Sequence, residues 1–217
     1  MATLTLAPFG LRPVRLGPSA AAPTYQMSLY YIKKGYSSAI GFGDLVQTLS
    51  ASGSYGYMQI YTAGGPRALG VFGGCLPYFD TVLQQVVNKQ WYAGSENPSG
   101  DIACMVYDDP SMVFTAQIGG TNASNPGNIL DRGGNIDLAQ NGSPNTSTGV
   151  STAYLDATTY NNTTSTLPLR IVGISQMFQL GYDPVSTFNL PTSAGQPTNN
   201  YLDVVLNTSE YRTSTGV

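Results

Sequence analysis

The sequence contains no histidine, and this absence excludes more chemistry than any other feature of its composition. Serine or cysteine nucleophiles activated by a histidine base are excluded, and so are metal sites built on imidazole. The only two cysteines, Cys75 and Cys104, are too few for a four-thiolate zinc site or a dense disulfide framework. We therefore expect no cofactor and no enzymatic activity.

Charged residues are also scarce, at 10% of the 217 residues, and the formal net charge is −3. Because an acidic chain does not neutralise phosphates, we expect no nucleic-acid partner. No apolar run approaches the roughly 18 residues that a membrane span needs, and the first ten residues do not resemble a signal peptide. We expect no membrane partner and synthesis in a cytoplasm.

Hydrophobic residues make up 41% of the chain, which is enough for a sizeable core, and 25 glycines and 14 prolines interrupt it often. Short runs of valine, isoleucine, threonine and tyrosine between these breaks favour strands over amphipathic helices. The pattern predicts an all-β fold, a β-sandwich, jelly roll or small barrel, with an extended N-terminal arm. Predicted strands lie at 26–32, 45–49, 55–61, 69–72, 102–107, 112–117, 169–175 and 201–206. Residues 81–90 fit a helix or a strand equally well.

The first 24 residues are predicted to form the extended arm, because prolines recur there at intervals of five. Residues 1–43 hold four basic side chains and no acidic one, whereas the remainder holds five basic and twelve acidic side chains. Two interpretations stay open. The arm is either a strap over its own domain or a segment that lies on a more acidic neighbouring subunit.

The rest of the chain divides into three parts by composition. Residues 25–118 form the first part of the β body, and residues 166–217 supply the C-terminal strands that complete it. Between them, residues 119–165 are rich in asparagine, threonine, serine and glycine, which is typical of an insertion or loop region. Such a segment, if ordered, is held by β-pairing or by neighbouring molecules.

Candidate sites are few, and each has a structural explanation. Asp108 and Asp109 are the only adjacent carboxylates, and the proline after them favours a turn over acid–base chemistry. Asp131 and Asp137 offer oxygen ligands without the spacing of a calcium loop, so whether an ion binds there stays open. The glycines at 64–65 and 70–74 lack phosphate-binding spacing and predict turns or close strand packing.

The thiols and the aromatic residues also have a structural interpretation beside a functional one. Cys75 and Cys104 have no nearby base and are predicted to be buried, reduced packing residues. The 15 tyrosines, with Trp91, fit a core, a protein interface or a sugar-stacking surface. Their densest positions are 30–31, 55–57 and 91–92.

The order of several short motifs resembles that of structural proteins of tailed bacteriophages, in particular those that decorate or cement the head shell. The motifs are FGLRPVR at 9–15, GDLV at 43–46, LGVFGGC at 69–75, WYAG at 91–94, ACMVYDDP at 103–110, VFTAQ at 113–117, LPLRIVG at 167–173 and LDVVLN at 202–207. Together they span almost the whole chain, whereas residues 119–165 match least clearly.

The resemblance implies an all-β virion protein without enzymatic activity, located on the head shell and bound to the major capsid protein. It also implies a homotrimer or another small homo-oligomer. The residues expected to contact the capsid protein lie on the arm and are Phe9, Arg12, Pro13, Val14 and Arg15. The alternative function is a tail-associated module that binds a receptor or a glycan.

Overall fold

The structure is a computed structural model that describes residues 7–16, 26–49, 56–65, 67–119, 132–139, 143–161, 165–175 and 201–209. Within these ranges the regular secondary structure consists of strands, so the predicted all-β class is confirmed. The strands are β1 (Arg12–Leu16), β2 (Ser28–Ile32), β3 (Leu45–Thr48), β4 (Met58–Ile60), β5 (Gly70–Cys75), β6 (Tyr78–Asp80), β7 (Gln85–Val87), β8 (Ile102–Tyr107), β9 (Met112–Gly119), β10 (Asn135–Ala139), β11 (Tyr154–Asn161), β12 (Leu169–Ile174) and β13 (Tyr201–Leu206).

Five strands close into a small barrel in the order β9-β11-β10-β12-β13. The ring closes because β9 pairs antiparallel with β13 over residues 113–117 and parallel with β11 at Ile118 and Gly119. Strand β1 lies antiparallel to the first half of β9. Closure leaves the barrel with no long unpaired edge, which is how small all-β proteins avoid edge-to-edge association.

A second sheet has the strand order β2-β8-β5-β3-β4 and contains only residues before the barrel strands. It curls until its outer strands β2 and β4 meet at a parallel bridge between Tyr31 and Tyr57. There the Tyr31 N–H donates a hydrogen bond of 3.1 Å to the carbonyl of Gly56. This sheet therefore has one face turned inward and one turned towards the barrel.

Two hydrophobic cores follow from this arrangement, one shared by the barrel and the second sheet and one enclosed by the second sheet. Because successive side chains on a strand point to opposite faces, neighbouring residues contribute to different cores. In three such pairs the first residue faces the shared core and the second faces the core enclosed by the second sheet. The pairs are Leu45 and Val46 on β3, Val71 and Phe72 on β5, and Tyr107 and Val106 on β8. Both faces of these strands are buried, which explains why the runs predicted as strands are continuously apolar and do not alternate with polar residues.

The described part of the arm is a strap over its own domain. Four residue pairs join β1 to β9, and the backbone N–H groups of Gly10 and Leu11 donate to the carbonyls of Ala153 and Gly43 at 3.1 and 2.8 Å. Leu11 is fully buried in the shared core. Gly10 has a φ of 71° and no room for a side chain, because a Cβ there would lie 2.5 Å from the Gly43 carbonyl oxygen. Of the two interpretations of the arm, the structure therefore supports the strap over residues 7–16.

The structure adds three details to the predicted secondary structure. Of the two alternatives for residues 81–90, part of the segment is a strand, because residues 81–84 make a turn and residues 85–87 form β7. All eight residues of strand β9 are buried, and its polar Thr115 is hydrogen-bonded to Asp203 and Ser175. The region 119–165 contributes β10 and β11 to the barrel, so β-pairing holds these parts of it.

The strap makes a direct prediction about stability. Replacing Leu11→Ala opens a cavity in the shared core and should lower the free energy of unfolding by about 2–5 kcal/mol. Leu29→Ala is the matched control, because Leu29 is 50% exposed and its truncation should change stability by about 0.5 kcal/mol or less. Urea denaturation measures both. Equal, small effects of the two substitutions would contradict the assignment of the strap to the core.

Candidate interaction surface

The candidate catalytic carboxylates Asp108 and Asp109 lie in the turn between β8 and β9, as the sequence predicts. The Asp109 carboxylate accepts hydrogen bonds from the backbone N–H and the hydroxyl of Ser111 at 2.8 and 2.7 Å. Asp108 accepts one from the hydroxyl of Tyr30 at 3.1 Å. Asp109 is thus engaged within its own turn, and Asp108 is engaged by a side chain of β2.

The other polar candidates also have structural roles. Asp137 is buried beside the Gly64 turn, where its carboxylate accepts from the N–H groups of Gly64 and Leu138 at 3.1 and 2.7 Å. Burial raises the pKa of Asp137. The other carboxylate of this candidate ion site, Asp131, lies outside the described residues. Within the described ranges, no group of three or more acidic or cysteine side chains is placed to hold a metal ion.

The glycine runs form a turn and a close strand contact, as predicted. Gly65 donates a turn hydrogen bond to the Thr62 carbonyl at 2.7 Å. Gly70 lies on β5, where a Cβ would be 2.4 Å from the Tyr107 carbonyl oxygen of β8. Neither run precedes a helix in the described chain, so neither forms a phosphate cradle.

The two cysteines are free and buried, as predicted, and they are cross-strand partners on β5 and β8. The Cys104 thiol donates to the Tyr30 carbonyl at 3.2 Å. Burial raises the pKa of Cys75 to about 12 and raises that of Cys104 as well. Thiolate is therefore scarce at both positions, which makes them poor nucleophiles.

A buried carboxylate joins three chain segments where the strap meets the body. Asp44 is 3% exposed, accepts a 2.6 Å hydrogen bond from the Gly41 N–H and accepts another from the Ser151 hydroxyl. A parallel bridge between Phe42 and Val150 lies beside it. Removal from water raises the pKa of Asp44 to about 6, although both hydrogen bonds oppose this shift.

Two of the five arm residues expected to bind a partner make ring contacts with the body of their own chain, and Arg12, Pro13 and Arg15 pair with β9. The Phe9 ring stacks on Tyr201 with 5.7 Å between centroids, and the Arg12 guanidinium lies 4.4 Å from the centroid of the Phe42 ring. Pro13 and Val14 are half-buried on β1, and Arg15 continues the strand after a bulge. Contact between this group and a capsid protein stays a prediction.

Within the described residues, the most numerous group of neighbouring exposed apolar side chains lies on the β6–β7 hairpin, which the sequence analysis did not single out. Its exposed members are Phe79, Val82, Leu83 and Val86, with exposed fractions of 41%, 69%, 58% and 67%. We call these four residues the hairpin patch. Phe79 and Val86 are cross-strand partners, so they lie on the same face. The alternating strand residues Tyr78, Asp80 and Val87 face the body.

The hairpin is held rigidly despite its exposure. The Asp80 carboxylate accepts hydrogen bonds from the N–H groups of Val82 and Leu83 at 2.8 and 2.9 Å and from that of Asn97 at 3.4 Å. These backbone donors lower the pKa of Asp80. The segment 97–99 adds further support, because the Ser99 N–H donates to the Phe79 carbonyl at 3.0 Å.

The hairpin also carries almost no charge. Asp80 is the only ionisable acidic or basic residue between positions 76 and 88, and its carboxylate is turned to the backbone. The nearest charged pair along the chain, Lys89 and Glu96, is joined at 3.5 Å. Apart from the Asp80 carboxylate the hairpin is uncharged, and its exposed face is apolar, which is typical of a docking face.

Tyrosines cluster at a separate place, on the seam between β2 and β4. Tyr31 is 42% exposed, and the Tyr57 hydroxyl donates a 2.6 Å hydrogen bond to Asp101. The Lys33 ammonium lies 6.0 Å from the centroid of the Tyr57 ring. Of the other predicted tyrosine positions, Tyr92 is buried and residue 55 lies outside the described ranges.

Comparison of the chain with protein-family models, with curated proteins and with solved structures finds no match. The search for membrane spans covered the described residues, and no helix there is long and apolar enough to cross a bilayer. The class that the fold itself defines is an all-β protein with a small closed barrel and a second curled sheet.

Burial of the cysteines predicts that native protein resists alkylation. With iodoacetamide at pH 8, the folded chain should incorporate almost no label while a free thiol peptide reacts completely, because thiolate is scarce and access is closed. After unfolding in urea, mass spectrometry should detect two labels. Rapid labelling of the folded chain would contradict the burial of both thiols.

Asp44 predicts a pH dependence of defined sign. Between about pH 4 and pH 6 the folded chain keeps a proton on Asp44 that the unfolded chain has lost, so this contribution to stability falls as pH rises. The neutral variant Asp44→Asn lacks the effect. Its stability relative to the wild type should therefore rise by up to about 3 kcal/mol between pH 4 and pH 7.

Urea denaturation at several pH values measures this difference. Asp101→Asn is the control with the opposite sign, because the Tyr57 hydroxyl and the Lys34 N–H lower the pKa of Asp101. The stability that Asp101 contributes is present above its unfolded pKa and is lost as pH falls. Parallel pH profiles for the wild type and Asp44→Asn would rule out an ionising, buried Asp44.

Proposed function

We propose that the chain is a non-enzymatic structural protein of a tailed-phage virion, and specifically a decoration protein that binds the major capsid protein and stabilises the head shell. The observation that supports this proposal is the hairpin patch. A rigid, uncharged apolar face is costly to leave in water and is typical of a surface that another protein covers.

The organisation of polar groups supports a structural role. Asp44, Asp80 and Asp109 are each engaged with local backbone or hydroxyl donors, so their chemistry stabilises turns and crossings. Scarce surface charge suits a protein with large interfaces, because unpaired charges are costly to desolvate there. The body thus supplies a stiff platform, and its exposed apolar residues supply affinity.

Shell stabilisation by such a protein works through several weak contacts acting together. A single small patch loses much of its interaction energy to the translational and rotational freedom given up on binding. Several copies held together convert later contacts into intramolecular ones with a high effective concentration. A small homo-oligomer is therefore part of the proposal, and the strap keeps each subunit intact under load.

A tail-associated glycan-binding module is the second candidate, and the tyrosine seam favours it. Exposed Tyr31 offers a stacking face for a sugar ring, and Asp101 and Lys33 nearby offer polar groups for its hydroxyls. Screening on a glycan array separates the two candidates. Specific glycan binding that Tyr31→Ala abolishes would favour this module over shell decoration.

Co-sedimentation with phage head shells tests the decoration proposal. We expect the chain to pellet with shells assembled from the accompanying major capsid protein, with saturation at a fixed ratio to capsid subunits. Binding should weaken at least tenfold in Phe79→Ser, which reduces the hairpin patch and with it either the capsid contact or the oligomer that multiplies that contact. It should persist in Leu29→Ser, which alters a residue of comparable exposure on β2. A wild-type chain that stays in the supernatant at all concentrations would refute the proposal.

A further inference from the structure

We propose that the hairpin patch is the contact through which one copy of this chain binds a second copy. In this contact the row formed by Phe79 and Val86 faces the same row of the other subunit across a symmetry axis. The inference rests on the proposed function for the view that the patch binds protein. It assigns the patch to the contact between subunits, so that the patch supports shell binding through the oligomer that it forms.

The area of the hairpin patch fits a self-association interface. Its four side chains expose roughly 400 Å², within the range of the largest apolar patch on a typical monomer. A standard interface buries about 800 Å² on each partner, of which about 60% is apolar. The patch therefore supplies most of the apolar area that each subunit needs, and the exposed polar residues of the turn beside it, such as Thr81 and Gln84, supply a rim.

Neutrality of the hairpin favours a second copy over a different protein. In a symmetric interface each residue near the axis lies beside its own copy, so any charge there would face a like charge. Asp80 is the one acidic or basic residue from 76 to 88, and three backbone N–H groups bind its carboxylate. A basic or acidic partner would find no complementary charge on this face.

The geometry of the hairpin lowers the cost of association. Val82 and Leu83 are fixed at the tip by the Asp80 carboxylate, and β6 is supported on its other side by residues 97–99. Because the backbone of the contact residues is already held by hydrogen bonds, the entropy lost when two hairpins meet is mainly that of the side chains. The pairing of β6 with β7 also keeps Phe79 and Val86 on one face, so both enter the contact together.

Light scattering of the purified full-length chain, with no shells present, tests the inference. The wild type should have a mass that is a multiple of the 22.9 kDa of one chain, and Val86→Asp should reduce it to one chain. Val86→Lys should do the same, and an equimolar mixture of the two variants should recover the oligomer, since opposite charges then meet across the interface. Recovery in the mixture is a result that mere misfolding of either variant does not produce.

Two further variants keep the test decisive. Val82→Ser changes the most exposed residue of the patch and should weaken association at least tenfold even if Val86→Asp does not fold. Leu29→Asp places the same new charge at a 50% exposed site on β2 and should leave the oligomer unchanged. A monomeric wild type at about 100 μM, or an oligomer that Val82→Ser and Val86→Asp leave intact, would overturn the inference.

The two proposals fail in different ways. An oligomer that does not pellet with shells refutes shell decoration and leaves self-association through the hairpin supported. A monomer that pellets with shells, and loses binding in Phe79→Ser, assigns the patch to the capsid protein and overturns the inference. A monomer that binds detergent micelles or lipid vesicles through the patch overturns it as well.

Discussion

The arrangement of the chain depends on one buried carboxylate, that of Asp44. Three segments far apart in sequence meet around it, since the Gly41 N–H and the Ser151 hydroxyl both donate to it and the strap crosses at Gly43. A charged group in this position is costly, which is why its pKa is raised to about 6. Where these segments meet, different parts of the chain are joined, and the barrel and the second sheet pack on one shared core.

The molecule departs from the usual distribution of residue types, because several polar side chains are buried and several apolar side chains are exposed. Inside, Asp44, Asp137 and Thr115 are buried, and each has hydrogen-bond partners in the fold. Outside, Phe79 and Val86 are exposed on a hairpin that is too well supported to fold them inward. The hydrogen bonds of the buried polar groups fix the architecture. The exposed apolar side chains are available for association with another protein.

The sequence predicted most strands, because runs such as 102–107 and 201–206 combine β-branched residues with turn residues at both ends. It did not predict β10 and β11, whose asparagines and threonines resemble loop composition and become strands only through pairing within the closed barrel. The hairpin patch was missed for a related reason. Which of Tyr78 and Phe79 faces solvent depends on where the second core lies, and no local pattern states that.

Chain order within the two sheets has a consequence for synthesis on the ribosome. The second sheet uses residues 28–107 and has all its strands as soon as β8 has emerged. Strand β1, which pairs with the barrel strand β9, precedes the second sheet in the chain, and the barrel closes only with β13 at Tyr201–Leu206. Long-range pairing of this kind is slow to form. The strap pairs with β9, which is translated about a hundred residues after it. The strap is thus translated before the second sheet and can pair with β9 only after that sheet has been made.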